Sequence, residues 1–203
     1  MVRFANIVRP TGSGTVIYYL SLGSNLAPTE HIARALRELS ERYGTVLVLP
    51  IVRTQPCAIN SNNGFLNTIA VISSDESSTA LKSWLNRLEM EHGRDRSDPQ
   101  RSHKDRTLDI DILLGQESFD FTVAESSHEY FNEPYVQASI QALQNSAHNT
   151  IDIVLPGASV ALGHRAATID FEHTSGNIFI CENSLDTLLD RFEATLDRQQ
   201  GFA

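Results

Sequence analysis

The segment HKDRTLDIDILL, residues 103 to 114, carries two carboxylates, Asp109 and Asp111, inside a run of Leu and Ile. Side chains alternate across a strand, so Asp109 and Asp111 project from one face. Leu108, Ile110, Ile112 and Leu114 are then expected on the other, where they can anchor a core. Two like charges a few ångströms apart repel unless a cation sits between them or water solvates both. Carboxylate oxygens suit a hard divalent ion. By itself, D-x-D equally describes an exposed strand face.

The neighbouring residues extend the chemistry. Arg94, Arg96, Arg101, Lys104 and Arg106 stand within residues 94 to 106, with His103 among them, in a chain that is otherwise acidic. A charge run alone reads as a solvated loop. Beside two same-face carboxylates it reads as a site for a polyphosphate with Mg²⁺: carboxylates hold the metal, and guanidinium forks take the remaining phosphate oxygens. A second group comprises GSN (23–25), RTQP (53–56) and FLN (65–67), each at a strand end. Asn67 offers a donor and an acceptor and Phe65 a ring face, a pairing suited to a flat heterocycle. Singly, each of the two reads equally well as a turn or core residue.

The elements that must position these residues follow from hydrophobic period and turn chemistry. TVIYYLSLGSN reads as a buried strand. EHIARALRELSERYG reads as a helix with Ile32, Leu36, Leu39 and Tyr43 on one face and Gly44 at its stop. TVLVLPIVRT is expected to be one strand, at an edge or bulged because of Pro50. FLNTIAVIS is a further strand. In STALKSWLNRLEMEHG, Leu81, Trp84, Leu85 and Leu88 keep the helical period, and TLDIDILL closes the order. That order is β-α-β-β-α-β, predicting an α+β fold, a ferredoxin-like split βαβ with helices on one side of an antiparallel sheet and extra C-terminal elements. Pro134 opens a helix through Val136, Ile140 and Leu143, and IDIVL is a short strand. Past residue 157 there are apolar runs, ASVAL and NIFICE, and a final amphipathic helix, SLDTLLDRFEATLDR. The expected organisation is a loose leader over 1–15, a domain over 16–156, and an extension over 157–203 packed on it.

Composition bounds the function. The chain has 203 residues, 41% of them hydrophobic, with 16 basic against 25 acidic residues and a formal net charge of -9. That balance excludes a general nucleic-acid or membrane-surface binder, which needs a basic face. Two separated cysteines, Cys57 and Cys181, make neither a disulfide framework nor a metal-ligand pair. No apolar stretch suits a signal peptide or a membrane span, so a cytoplasmic location is expected.

The motifs together resemble a known family. YLSLGSNL, VRTQP, GFLN, an E-x-x-x-G-R-x-R segment from Glu89 to Arg96, and RTLDIDILL stand in the order and spacing of 6-hydroxymethyl-7,8-dihydropterin pyrophosphokinases of folate biosynthesis. The resemblance covers roughly residues 16 to 143. It implies transfer of the β,γ-pyrophosphoryl unit of ATP to the pterin hydroxymethyl group, releasing AMP. On that pattern Asp109 and Asp111 hold two Mg²⁺ ions, and Arg94 and Arg106 neutralise the reacting phosphates. Glu89 lies by the nucleotide, which Arg96, Arg101 and Lys104 also serve. Thr54, Pro56, Cys57, Phe65 and Asn67 match the pterin pocket.

The sequence departs from the family pattern in several places. The loop between Arg96 and Arg106 is long and lacks the family's aromatic residue. The pterin turn reads TQPC rather than a proline-rich form. The family's Pro-His motif appears as SSHEYF, leaving His128 and Tyr130 as candidates for ATP contact and Tyr135 as the aromatic candidate for the pterin. No Lys or Arg occurs from Thr107 to His164, where the family supplies an arginine near the triphosphate. Alongside the enzyme stands a second expectation: a catalytically weak or inactive paralogue acting as a pterin- or nucleotide-binding or protein-interaction module.

Overall fold

The first strand dictates the architecture. β1 (Val16–Ser24) is apolar on both faces, the pattern of a strand covered on both sides, and its residues are almost all buried. The computed structural model describes residues 14–56, 61–99, 104–117, 133–145 and 149–200, which leaves out most of the expected leader. β1 lies between β4 (Phe65–Ser74) and β5 (Asp109–Gln116), antiparallel to both. α1 (Pro28–Tyr43) starts with Pro28, whose fixed φ suits a first helical turn, and stops at Gly44, at φ 79°. It leads to β2 (Thr45–Val48), antiparallel to β4. α2 (Ser78–Glu91) is capped by Ser77, whose hydroxyl accepts from the Ala80 N–H at 3.3 Å, and connects β4 to β5.

The single strand expected over residues 45–54 is two. β2 ends at Val48, and β3 (Val52–Thr54) pairs separately with β4 through Val52↔Asn67 and Thr54↔Phe65. Pro50 has no N–H to give the ladder. Next to it the Ile51 N–H donates to Gly163 O at 2.8 Å and Ile51 O accepts from Ile151 at 2.9 Å, turning the chain away from β4.

The C-terminal half adds more than sequence periodicity indicated. α3 (Pro134–Asn145) begins at the proline, as expected. The IDIVL and ASVAL runs shrink to a two-residue pair, β6 (Ile153–Val154) with β7 (Ala161–Leu162). β8 (Ala167–Glu172), which periodicity did not single out, joins the free edge of β2, and β9 (Asn177–Glu182) joins β8. The order is β5-β1-β4-β2-β8-β9, with β3 also on β4. α4 (Leu185–Gln200) closes the chain.

Helices cover both faces of this sheet rather than one. α1 and α2 bury Ile32, Leu36, Leu39, Leu81, Leu85 and Leu88 against Leu20, Leu22, Ala70 and Ile72. α3 and α4 bury Val136, Ile140, Leu188, Leu189 and Phe192 against Ile17, Tyr19, Ile69 and Val71. The physical reason lies in β1 and β4, whose odd-numbered residues Ile17, Tyr19, Ile69 and Val71 are apolar and must also leave water. Phe192, 0% exposed, fastens the last helix to this second core. Phe192→Ala is expected to lower stability by about 3–5 kcal/mol in urea unfolding; an unchanged midpoint would show that α4 is dispensable to the core. No helix among the described residues is long and apolar enough to cross a membrane.

Candidate active site

A single row across three strands assembles the site. Gly23 on β1 is the register partner of both Asp109 on β5 and Asn67 on β4. Partners directly opposite in a sheet share a face, so Asp109 and Asn67 flank Gly23 on the side covered by α3. Strand spacing separates the two by roughly 9–10 Å. Gly23 lets Asn67 approach closely: a Cβ there would stand 2.8 Å from Asn67 Oδ1, and the amide would have to shift. Asp111, opposite Ser21, shares this face with Asp109. The expected alternation holds for Ile110 and Ile112, which pack with the α1–α2 core. It fails at Leu114: the β1 register slips between Tyr19 and Leu20, an extra residue bulges β5, and Leu113 and Leu114 both pack with the α3–α4 core.

The protein's own cations hold the two carboxylates. Arg94 and Arg106 each pair with Asp109, one at each oxygen. Burial pushes the Asp109 carboxyl up, but the two guanidiniums outweigh it and hold it below the usual carboxylate range. Asp111 Oδ1 accepts from Lys82 Nζ at 2.8 Å. Lys82, on α2, escaped the sequence reading because 29 residues separate it from Asp111 and nothing local marks it. Tyr135 opens α3 beside this group. Burial first, then Glu133, Asp111 and Asp109, push its phenol up to about 12, so it stays a proton donor.

Glu89, on α2, joins the same network. Its side chain is 0% exposed. The carboxylate accepts from the Ile110 N–H at 2.8 Å and pairs with Arg94 at 3.1 Å and with Arg96. Burial raises its pKa. In this arrangement Glu89 fixes the edge of β5 and positions two arginines. Lys104 pairs with Asp98 within its own loop, turned to a local partner.

Arg106 is positioned by a residue in the GSN turn. The Asn25 N–H donates to Arg106 O at 3.1 Å, Asn25 Oδ1 accepts from the Arg106 N–H at 2.8 Å, and Asn25 Nδ2 donates to Asp105 Oδ1 at 2.6 Å. Asn63 Nδ2 donates to the other Asp105 oxygen at 2.7 Å. These bonds set the Arg106 guanidinium 5.8 Å from the Phe65 ring centre. On the far side of Gly23, Asn67 is 5% exposed and donates from Nδ2 to Thr54 Oγ1 at 2.7 Å. Phe65, Asn67 and Thr54 therefore meet at one end of the sheet, with Pro56 two residues past Thr54 on the same chain. Cys57, Arg101, His103, His128 and Tyr130 lie outside the described residues.

The donor set can be tested against a divalent ion. The described residues offer no cluster of three or more His, Cys, Asp or Glu side chains able to hold a metal. Two carboxylates suit an ion that takes its remaining oxygens from phosphate and water, as Mg²⁺ does beside a nucleotide. That each carboxylate is held by a cationic side chain, and that the Asp111 side chain is 53% exposed, fits such a pair. Arg94 Nε is buried with no hydrogen-bond partner among the described residues, a donor with no acceptor supplied by the fold.

Comparison with known proteins places the chain in a family. In Haemophilus influenzae, 2-amino-4-hydroxy-6-hydroxymethyldihydropteridine pyrophosphokinase is 36% identical over 99 residues, 47% of this chain and 60% of that protein. The protein of the same name in Porphyromonas gingivalis is 35% identical over 100 residues, 48% of this chain and 68% of the relative. The match to the first thus spans less than two thirds of that relative's length. The model of the 7,8-dihydro-6-hydroxymethylpterin-pyrophosphokinase family matches residues 19–157, well over half of the chain and inclusive of the whole Asp109–Gly23–Asn67 row, and the chain belongs to that family.

Proposed function

We propose that the protein transfers the β,γ-pyrophosphoryl group of ATP to the hydroxymethyl oxygen of 6-hydroxymethyl-7,8-dihydropterin, a step of folate biosynthesis. The pterin hydroxyl oxygen bonds to the β-phosphorus and gives its proton to water, the bond from the β-phosphorus to the α–β bridging oxygen breaks, and AMP leaves. The observation that carries this reading is the row Asp109–Gly23–Asn67, which together with Asp111 sets a carboxylate pair and a buried amide on one face with a glycine between them. A nucleotide's phosphates at the first and a heterocycle at the second would bring the acceptor oxygen towards the phosphates.

Each residue then has a task. Asp109 and Asp111 would hold two Mg²⁺ ions, which when bound supply neutralisation of the triphosphate charge. Arg94, with its unused Nε, and Arg106 would orient the transferring phosphates. Thr54, Pro56, Cys57, Phe65, Asn67 and Tyr135 are assigned to the pterin. Arg96, Arg101, Lys104, His128 and Tyr130 are assigned to ATP, with Glu89 acting through Arg94 and Arg96. The crossing of the two β-α-β units, each split by a strand of the other, supports a ferredoxin-like class for residues 16–156, with 157–203 as an extension on the same sheet. The ligands are small molecules in a cytoplasmic setting, with no nucleic acid or membrane partner.

Asn67 provides the test. Asn67→Ala leaves the ring's donors and acceptors unpaired and is expected to weaken pterin binding by roughly 1–3 kcal/mol in calorimetry. Equal binding by the variant would move the pterin elsewhere. One observation favours the alternative, a binding module without turnover: the stretch from Thr107 to His164 carries no Lys or Arg. Lys82 on α2 bears directly on that objection.

A further inference from the structure

β5 is an edge strand, and the Ile110 N–H and C=O are taken by α2 rather than by another strand. The Glu89 carboxylate accepts from the N–H at 2.8 Å, and the Lys82 ammonium donates to the C=O at 2.7 Å. The same ammonium donates to Asp111 Oδ1 at 2.8 Å. Asp109 is also held by cations, but by side chains that are anchored: Arg94 and Arg106 are 12% and 17% exposed. Lys82 is 34% exposed, on a flexible four-carbon stem. Beside it opens a cavity of about 650 Å³ whose lining includes Thr79, Lys82, Asn86, Asp111 and Tyr135. Asn86 Oδ1 is buried there with no hydrogen-bond partner among the described residues.

We propose that Lys82 is a resident counter-ion of Asp111 that gives up the carboxylate when a divalent ion arrives and passes to an anionic oxygen of the nucleotide. The inference rests on the reading of Asp109 and Asp111 as metal carboxylates. An ammonium and a divalent ion on one carboxylate repel each other, so a metal entering alone has to displace Lys82 into water. A metal entering with a nucleotide gives the ammonium a new anion within reach of its stem. Metal and nucleotide then bind cooperatively, and by linkage each raises the affinity of the other by the same factor. Lys82 also delivers a cation to the end of β5, from a helix 29 residues earlier in the chain, where the following segment has none.

The test uses Mn²⁺ in place of Mg²⁺, followed by electron paramagnetic resonance, and α,β-methylene ATP, whose scissile position cannot break. Wild-type protein, Lys82→Met and Lys82→Arg are titrated with metal alone and with metal plus analogue, after circular dichroism has verified their fold. Lys82→Met is expected to bind Mn²⁺ alone about tenfold more tightly and the analogue about tenfold less tightly, with the coupling between the two largely gone. Lys82→Arg keeps the charge and is expected to retain the coupling. If wild type binds both ligands and Lys82→Met does the same with unchanged affinities, the counter-ion role is overturned while the metal site stands. If wild type binds neither, the metal–nucleotide reading fails and the role of Lys82 falls with it.

Discussion

Asp109→Ala and Asp111→Ala are each expected to abolish joint binding of Mg²⁺ and an ATP analogue and to lower turnover by about 10²- to 10³-fold or more. Their effects on the fold should differ, because their surroundings differ. Asp109 is held between Arg94 and Arg106, which are mostly buried, so its removal takes away the carboxylate that both guanidiniums share. Asp111 is 53% exposed, and its partner Lys82 can turn to water. Asp109→Ala should therefore lower the thermal midpoint measurably, and Asp111→Ala should leave it nearly unchanged. Intact analogue affinity and turnover in both variants would remove the metal assignment.

Arg106→Ala should cost about 10³- to 10⁵-fold in turnover, the range seen for arginines acting on transferred phosphate. Three bonds through Asn25 and Asp105 and the contact with the Phe65 ring place this guanidinium between the carboxylates and the heterocycle side. Lysine lacks the planar fork, so Arg106→Lys should recover little of the loss. Lys104→Ala should cost much less, since Lys104 is 53% exposed and shares its charge with Asp98. The loss at Arg106 should also exceed that of His128→Ala, because an imidazole lacks the planar donor fork of a guanidinium. Steady-state rates of the four variants check the ranking; a Lys104 effect as large as that of Arg106 would relocate the phosphates.

What was legible in the sequence was what is local. The period of two in Leu-Asp-Ile-Asp-Ile put both carboxylates on one face, and the period of 3.6 found α1, α2 and α3. The slip at Leu113 was not legible, because it arises from pairing with β1 rather than from anything in β5 itself. Pro50 announced trouble in its strand but not its form, since the break depends on Ile51 finding partners at Ile151 and Gly163, more than 90 residues on. β8 was missed because its alternation is short and its register is set by β2. The site followed the same rule. Asp109, Arg94, Arg106 and Asn67 stand out as candidates through motifs, whereas the contacts of Lys82 and Asn25 emerge only when distant segments meet at the edge of β5.

Incubation of the purified protein with 6-hydroxymethyl-7,8-dihydropterin, ATP and saturating Mg²⁺, followed by phosphorus NMR, tests the central claim most directly. The account predicts AMP and a pterin pyrophosphate appearing in equal amounts, with neither formed when Mg²⁺ is withheld. Persistent pterin binding with no AMP would contradict it, and would leave a protein that kept the fold and the pocket without the transfer.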